Sequence, residues 1–341
     1  MTFNYINGGN NIMKAIIHSG RSGLRGLQYT SSTSRAPGFG EVKIELKSAG
    51  LNHRDLFIMA GRTTHDAPLI PGSDGTGIIV ETGEGVVHPS VGDEVIIHPT
   101  LGWKCAADVP LVPEIVGGPT DGTLAQYITI PAENALPKPS HLTWEEAGVL
   151  SLSALTAYRA LFTRGGLQQG EHVLIPGIGG GVATYALLMA VSAGAKVTVT
   201  SRSEMKRNEA IRLGAVQAFG SHEDWSKHNK HDHVDLILDS IGQALFPQYF
   251  NIIRPGGRIV MYGASSGDDL TLPIRSIFFP QVSLIGTSMG SHEEFAQMLQ
   301  WVEHHDIHPV VDRVYALQDT AKAFERMEKG EQFGNLAIRI E

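Results

Sequence analysis

From Met13 the chain opens on KAIIH, an apolar run of strand character, and the same style recurs downstream. VKIEL at 42–46 alternates apolar and polar side chains, the period of a strand with one buried face. TGIIVETG at 76–83 and DEVIIHP at 93–99 repeat it, and prolines and glycines at 37, 38 and 40 punctuate the first start. Short strands parted by glycine turns predict a small barrel-like β domain. The stretch from 99 to 122 holds Trp103, Cys105, prolines and the Gly117-Gly118 pair, and reads as a long loop. The residues before Met13 read as an appendage.

The period changes near residue 144. Trp144 to Phe162 spaces its apolar positions as a helix does, with Ser140 and Thr143 as candidate N-caps. HVLIP at 172–176, a glycine loop at 177–181, a helical run from Val182 to Ala193 and KVTVT at 196–200 make a strand–helix–strand unit. VQAF at 216–219, VDLILDS at 234–240, GRIVMYG at 257–263 and VSLIG at 282–286 complete six strand candidates. The fold class is therefore α/β, with a doubly wound parallel sheet beside the β domain. The last fifty residues read as helix, strand, helix, strand, and are candidates to rejoin the β domain.

Composition narrows the function. The 27 Lys and Arg against 35 Asp and Glu leave a formal charge of −8, which offers nothing to a nucleic acid or an anionic membrane. No apolar run reaches the ~20 residues of a membrane span. The N-terminus lacks the basic start and apolar stretch of a secretory signal. A single cysteine, Cys105, makes no intrachain disulfide and no four-thiolate zinc cage, so a reducing, cytoplasmic setting is expected. Glycine, 39 of 341 residues, exceeds the ~7% average, which points to backbone that approaches a ligand closely.

The glycines that matter run Gly177-Ile178-Gly179-Gly180-Gly181-Val182-Ala183, after a strand and before a helix. A helix N-terminus presents unpaired N–H groups and partial positive charge, and a pyrophosphate settles there where no Cβ intrudes. The following strand ends Thr200-Ser201-Arg202-Ser203, with Lys206 close behind and no carboxylate before Glu204. An acid there would hold ribose hydroxyls; Arg202 and Lys206 favour a 2′-phosphate, hence NADPH over NADH. The histidines His222, His228, His231 and His233, and again His304, His305 and His308, sit in polar surroundings and read as solvated stretches. Glu145 and Glu146 open a helix and suit its dipole.

Taken together, PGFGEVKIELKSAGLNHRDL at 37–56, PLIPGSDGTGIIVETGEGV at 68–86, VGDEV at 91–95, the glycine loop, RLGA at 212–215, LDSIG at 238–242 and RPGGRIVMYG at 254–263 resemble the medium-chain dehydrogenase/reductase superfamily. The resemblance implies a GroES-like domain over 1–154 and 288–341, a Rossmann NADPH-binding domain over 155–287, and a homodimer. It also implies that Gly263, ending RPGGRIVMYG, lies at the cofactor. The zinc branch carries metal ligands where this chain has Asn52, Ser73 and Asp74, and at about the position of Leu152. That set cannot supply the three side-chain ligands of a catalytic zinc, and no metal is expected. GLNHRDLFIMAG and LTAY resemble the zinc-free quinone oxidoreductase and enoyl reductase branch, although a tyrosine found in some of its members appears here as Phe57.

The resemblance gives Asn52 and Thr156 to the nicotinamide and the substrate oxygen, while His53 and Arg54, beside Asn52, are candidates to hold phosphate or substrate. Without a metal Lewis acid, conjugated acceptors are the easier substrates, because hydrogen-bond donors suffice for a delocalised oxyanion. The expected activity is NADPH-dependent reduction of a small quinone or α,β-unsaturated carbonyl. Two other readings stand beside it: a metal enzyme with irregular ligands from His65, Asp74, His98 or Cys105, and an NADPH-binding protein without turnover.

Overall fold

The computed structural model describes residues 11–227 and 233–341, so His228 and His231 lie outside the described residues. The chain divides into two compact units. One holds the chain through Trp103, Pro110–Leu152 and Val311–Glu341; the other holds Lys104–Val109 and Ser153–Val310.

In the first unit β1 (Asn11–His18) pairs antiparallel with β2 (Leu27–Ser34), beginning two residues before Met13. β3 (Glu41–Gly50) is the hub of a larger sheet. β4 (Asp74–Thr82) lies antiparallel along it, in a register that sets Gly50 opposite Asp74. β5 (Glu94–Ile97) continues outward from β4, and Tyr127–Pro131 also pairs with β3. The last strand, Asn335–Arg339, joins β3 antiparallel at Ser48–Gly50, and Val311–Ala316 pairs parallel with it. Of the last fifty residues, only Val311–Glu341 falls in this unit. Ile44, Leu46, Ile79 and Ile97 from the alternating runs are almost wholly buried in one cluster with Phe324 and Ile338. Burying each such side chain is worth about 1.5–3 kcal/mol.

After β3 the chain turns into helix α1 (His53–Gly61). A Cβ on Gly50 would stand 2.7 Å from the Gly148 carbonyl oxygen, so the turn needs glycine there. The predicted loop at 99–122 instead folds part of its length into a small sheet, Thr100–Leu101 with Glu114–Val116 and Pro119–Thr120. Those strands are too short to show a period.

In the second unit the strands run Gln217–Phe219, Lys196–Thr200, His172–Ile175, Val234–Asp239, Ile253–Met261, Ser283–Gly286 in spatial order, all parallel. Helices Gly181–Ser192 and Glu204–Arg212 connect the first three in sequence. The unit extends beyond residue 287 because helix His292–His304 belongs to it. A buried ion pair holds that helix: Arg159 Nη1 lies 2.6 Å from both oxygens of Glu294. Glu294 also accepts from the Ser291 N–H at 2.9 Å, closing the helix's own N-terminus. The helix expected over 144–162 is broken into Trp144–Gly148 and Ser151–Tyr158, then widens to a π-helical turn over Arg159–Arg164. Thr143 caps the first piece, with its N–H donating to Glu146 at 2.9 Å, while Glu145 pairs with Arg339.

Candidate functional site

The β3–β4 register carries Asn52, two residues past Gly50, to the side of Asp74. Asn52 is extended, at φ −126° and ψ 149°, as an N-cap residue must be. Its backbone N–H donates to Asp55 Oδ2 at 2.8 Å, and the Asp55 N–H donates back to the Asn52 carbonyl at 2.9 Å. With the backbone so fixed, Asn52 Nδ2 donates to Asp74 Oδ2 at 3.0 Å. The other carboxylate oxygen, Oδ1, accepts the backbone N–H of Leu152 at 2.7 Å. Thr123 Oγ1 donates to the Asp74 carbonyl at 2.7 Å and fixes the strand end. Three of the four positions that ligands occupy in the zinc branch are therefore tied together around one carboxylate.

Asn52, Asp55 and Asp74 are all buried. Burial pushes the Asp74 carboxyl up to about 7; the charge of Asp55 adds to this, while the bonds from Asn52 and Leu152 oppose it. Burial likewise raises Asp55 to about 6, against the Asn52 N–H and the charge of Arg54. This donor set does not fit a zinc ion: it offers a neutral amide, a hydroxyl, one carboxylate and a leucine. Among the described residues no three His, Cys, Asp or Glu side chains come together to hold a metal, so the irregular set is not assembled there either. Cys105 is exposed.

Arg54, in the first turn of α1, is half-buried, and burial lowers its pKa. Nη1 donates to Ser73 Oγ at 3.2 Å and Nη2 to the Gly118 carbonyl at 2.6 Å. Ser73 Oγ donates in turn to the Val116 carbonyl at 2.8 Å. Arg54 thus braces the 116–118 segment against α1. His53 and Phe57 are exposed on the same helix.

In the second unit, Gly177 and Gly179 take φ of +72° and +134°, open to glycine and strained for any other residue. The Ile178 N–H donates to the Thr200 carbonyl at 2.8 Å and its side chain is buried, which pins the loop to the neighbouring strand. Gly180 caps the helix that Gly181 and Val182 open, and a Cβ on it would meet nothing within 4 Å. Open space in front of an unpaired helix N-terminus suits a pyrophosphate. A Cβ on Gly179 would lie 2.6 Å from Lys206 Cδ and 3.0 Å from its Nζ, so the ammonium stands against the loop. Ser201 is buried and Arg202 exposed at the strand end. Arg207, which the sequence reading passed over, donates to the Ser201 carbonyl at 2.7 Å. No carboxylate sits on that strand end, and Glu204 is exposed on the next helix. Gly263 lies two residues past the strand Ile253–Met261, where a Cβ would come within 3.2 Å of the Ser240 carbonyl oxygen. These residues fit a nicotinamide dinucleotide.

Thr156 is buried on the helix Ser151–Tyr158, its Oγ1 4.0 Å from Met289 Sδ. Met289 has φ +54°, and a Cβ on the following Gly290 would press within 2.6 Å of Leu155 Cδ1. The 289–290 turn thus packs directly on the LTAY segment, and the Arg159–Glu294 pair anchors both sides of that contact. Sequence reasoning missed this wall, since its members stand 135 residues apart.

A GroES-like β unit and a parallel-sheet unit with a glycine cradle are the architecture of the medium-chain dehydrogenase/reductases. The pattern of the alcohol dehydrogenase GroES-like domain matches residues 38–140, and that of the zinc-binding dehydrogenases matches 181–304. The zinc-type alcohol dehydrogenase-like protein YogA of Leptosphaeria maculans is 33% identical over 92% of this chain and 94% of its own length. The crotonyl-CoA carboxylase/reductase of Cereibacter sphaeroides is 27% identical over 88% of this chain and 80% of its own. A crystal structure of an NAD-dependent alcohol dehydrogenase superposes with a TM-score of 0.90 at 32% identity, covering 96% of this chain and all of that one. The chain belongs to the zinc-type alcohol dehydrogenase-like proteins of that superfamily, and is an oxidoreductase of this kind.

Proposed function

We propose that the protein is a zinc-independent, NADPH-dependent reductase of α,β-unsaturated carbonyls or quinones. The observation that carries this reading is Asn52 bound to the buried Asp74, an amide and a carboxylate tied together where a Lewis-acid metal would need ligands. Lys206 against the glycine loop, with Arg202 near it and no acid on the strand end, supports NADPH. The crotonyl-CoA carboxylase/reductase among its relatives supports an activated alkene as acceptor.

When bound, the reduced nicotinamide supplies a hydride to the electron-poor carbon of the acceptor. The acceptor's electron pair moves onto its oxygen, and a proton from water completes the saturated carbonyl or hydroquinone. Asn52 donates to that oxygen as charge builds on it, worth most where water is excluded. Asp74 and the Asp55 exchange hold the amide in one orientation, so it need not reorganise during the reaction. In this reading Thr156 would contact the nicotinamide amide, and Gly177, Gly179, Gly180, Gly181 and Val182 would receive the pyrophosphate. The same reading makes the enzyme a cytoplasmic homodimer, on the single cysteine and the family resemblance.

Loss of reduced-nicotinamide absorbance, with NADPH and NADH in parallel, tests the reading against quinones, enals and simple aldehydes after treatment with a chelator. Turnover of enals or quinones that prefers NADPH and survives chelation is the expected result. Activity confined to simple aldehydes and abolished by chelation would overturn it.

A further inference from the structure

In the parallel-sheet unit His172–Ile175 lies beside Val234–Asp239, and the strand order runs from that pair to Lys196–Thr200 on one side and to Ile253–Met261 on the other. A dinucleotide lies across the carboxyl ends of such a sheet, where the strand order reverses. Here that point falls between the ends of the first two strands. The glycine loop is one lip of the crevice, and the turn after Asp239 is the other. The lips touch: a Cβ on Gly177 would stand 2.7 Å from Ile241 Cδ1.

The Asp239 turn is held from beneath. Asp239 is wholly buried, and its Oδ1 accepts the N–H of Ile241 at 2.8 Å and of Gly242 at 3.1 Å. The Tyr249 hydroxyl donates to the same oxygen at 2.7 Å. Tyr249 is wholly buried too, stacked on Trp225 with 5.9 Å between ring centroids and packed on Phe246 at 5.2 Å. Burial pushes the Asp239 carboxyl up, and the bonds from Tyr249, Gly242 and Ile241 work against it. The loop after Ile253–Met261 is strung on this turn. The Tyr262 N–H donates to the Asp239 carbonyl at 2.9 Å, the Ser265 N–H to the Ser240 carbonyl at 3.1 Å, and the Ser266 N–H to the Ile241 carbonyl at 2.9 Å. The Ser266 hydroxyl adds a second bond to the Ile241 carbonyl at 2.6 Å.

We infer that Asp239 and Tyr249 are positioning residues for the nicotinamide half of the cofactor, acting through the turn that sets Ile241 against Gly177. The inference rests on the cofactor reading proposed above. In that reading the 2′-phosphate belongs to the other lip, where Arg202 and Lys206 follow Lys196–Thr200. The 239–242 turn and the 262–266 loop are left to bear the nicotinamide half. Asp239 and Tyr249 are buried beneath that surface, so they act through the backbone they hold. The glycine loop is pinned separately, by Ile178 to Thr200, so loosening the turn leaves the adenosine side in place.

The test compares two ligands on the full chain: NADPH, and adenosine 2′,5′-bisphosphate, which lacks the nicotinamide half. Tyr249→Phe removes one hydroxyl; Asp239→Asn, of the same shape with a weaker acceptor, takes its place if that variant does not fold. Calorimetry should show adenosine 2′,5′-bisphosphate bound within about twofold of wild type, and NADPH weakened about 3–10-fold. The emission of bound NADPH, which reports on the nicotinamide ring, should fall with it. Adding Tyr249→Phe to Ile241→Ala should weaken NADPH no further, since the phenol acts through that side chain. Unchanged NADPH affinity overturns the inference. Parallel weakening of both ligands overturns it as well, since a general loosening of the unit would do the same. An additive loss in the double variant overturns the route through Ile241. A wild type that binds neither ligand overturns the cofactor reading and this inference with it, whereas intact binding of both in wild type and variants overturns the inference alone.

Discussion

Asn52 Nδ2 and Asp74 Oδ2 lie 3.0 Å apart, and both side chains are almost wholly withdrawn from water. The bond joins residues 22 positions apart through the β3–β4 register, so the orientation of the amide is a property of the sheet rather than of the helix it caps. Replacing Asp74 with asparagine sets an amide N–H against either Asn52 or Leu152. Turnover of Asp74→Asn should fall about 10–100-fold, chiefly in kcat, as the Asn52 amide loses its fixed pose. An unchanged kcat would remove Asp74 from the positioning role.

The same carboxyl makes stability depend on pH. Its folded pKa of about 7 lies above the ordinary 3.8, so the folded state holds the extra proton between those values. The contribution is fully present below the unfolded value and is lost as pH rises through about 7. Asp55, raised to about 6, acts in the same direction. Wild-type unfolding free energy should therefore decline relative to Asp74→Asn from pH 4 to pH 7.5, by at most about 4 kcal/mol. Denaturant melts across that range provide the check, and parallel profiles for the two proteins would refute it.

Cofactor choice should move with Lys206 and Arg202. Removing both, as Arg202→Ala/Lys206→Ala, deletes charge-assisted bonds of about 1.5–3 kcal/mol each. The ratio of kcat/KM for NADPH over NADH should drop by about tenfold or more, with little change for NADH. A ratio that stays put would assign both cations to the surface.

Gly179→Ala tests the cradle. Lys206 can swing away from the new methyl group, but φ of +134° cannot be relieved, at a cost of about 1–3 kcal/mol. Binding of NADPH should weaken by about tenfold or more, read by fluorescence titration.

The Arg159–Glu294 pair predicts a non-additive pair of variants. Glu294→Ala leaves a buried guanidinium without its counter-charge and should lower stability by about 3–5 kcal/mol. Arg159→Met/Glu294→Met should recover most of that loss in the same denaturant experiment.

The sheets and the cradle were legible because their signals are local. VKIEL alternates, KVTVT spans the strand it predicts, and the glycines fall between a strand and a helix. The break after Gly148 was not legible, because the apolar spacing continues across it, and the widened turn over Arg159–Arg164 is a matter of backbone bonding, such as the Gly165 N–H to the Ala160 carbonyl, that side-chain pattern does not encode. Asp74 was visible as a lost ligand, yet its bond to the Leu152 N–H links residues 78 apart, and no local pattern encodes a backbone donor. Arg207 carried a faint signal, one helical turn beyond Ser203, that only the strand end beneath it makes meaningful.

Strand Asn335–Arg339 has a consequence for the order of assembly. It pairs with Ser48–Gly50, immediately before Asn52, so the unit that orients the amide draws on both ends of the chain. During synthesis the stretch Ser153–Val310 leaves the ribosome with all six of its parallel strands, able to fold while the β3 edge still waits for its neighbour. A stop codon anywhere before residue 335 would leave that edge bare, a template for pairing between chains rather than within one.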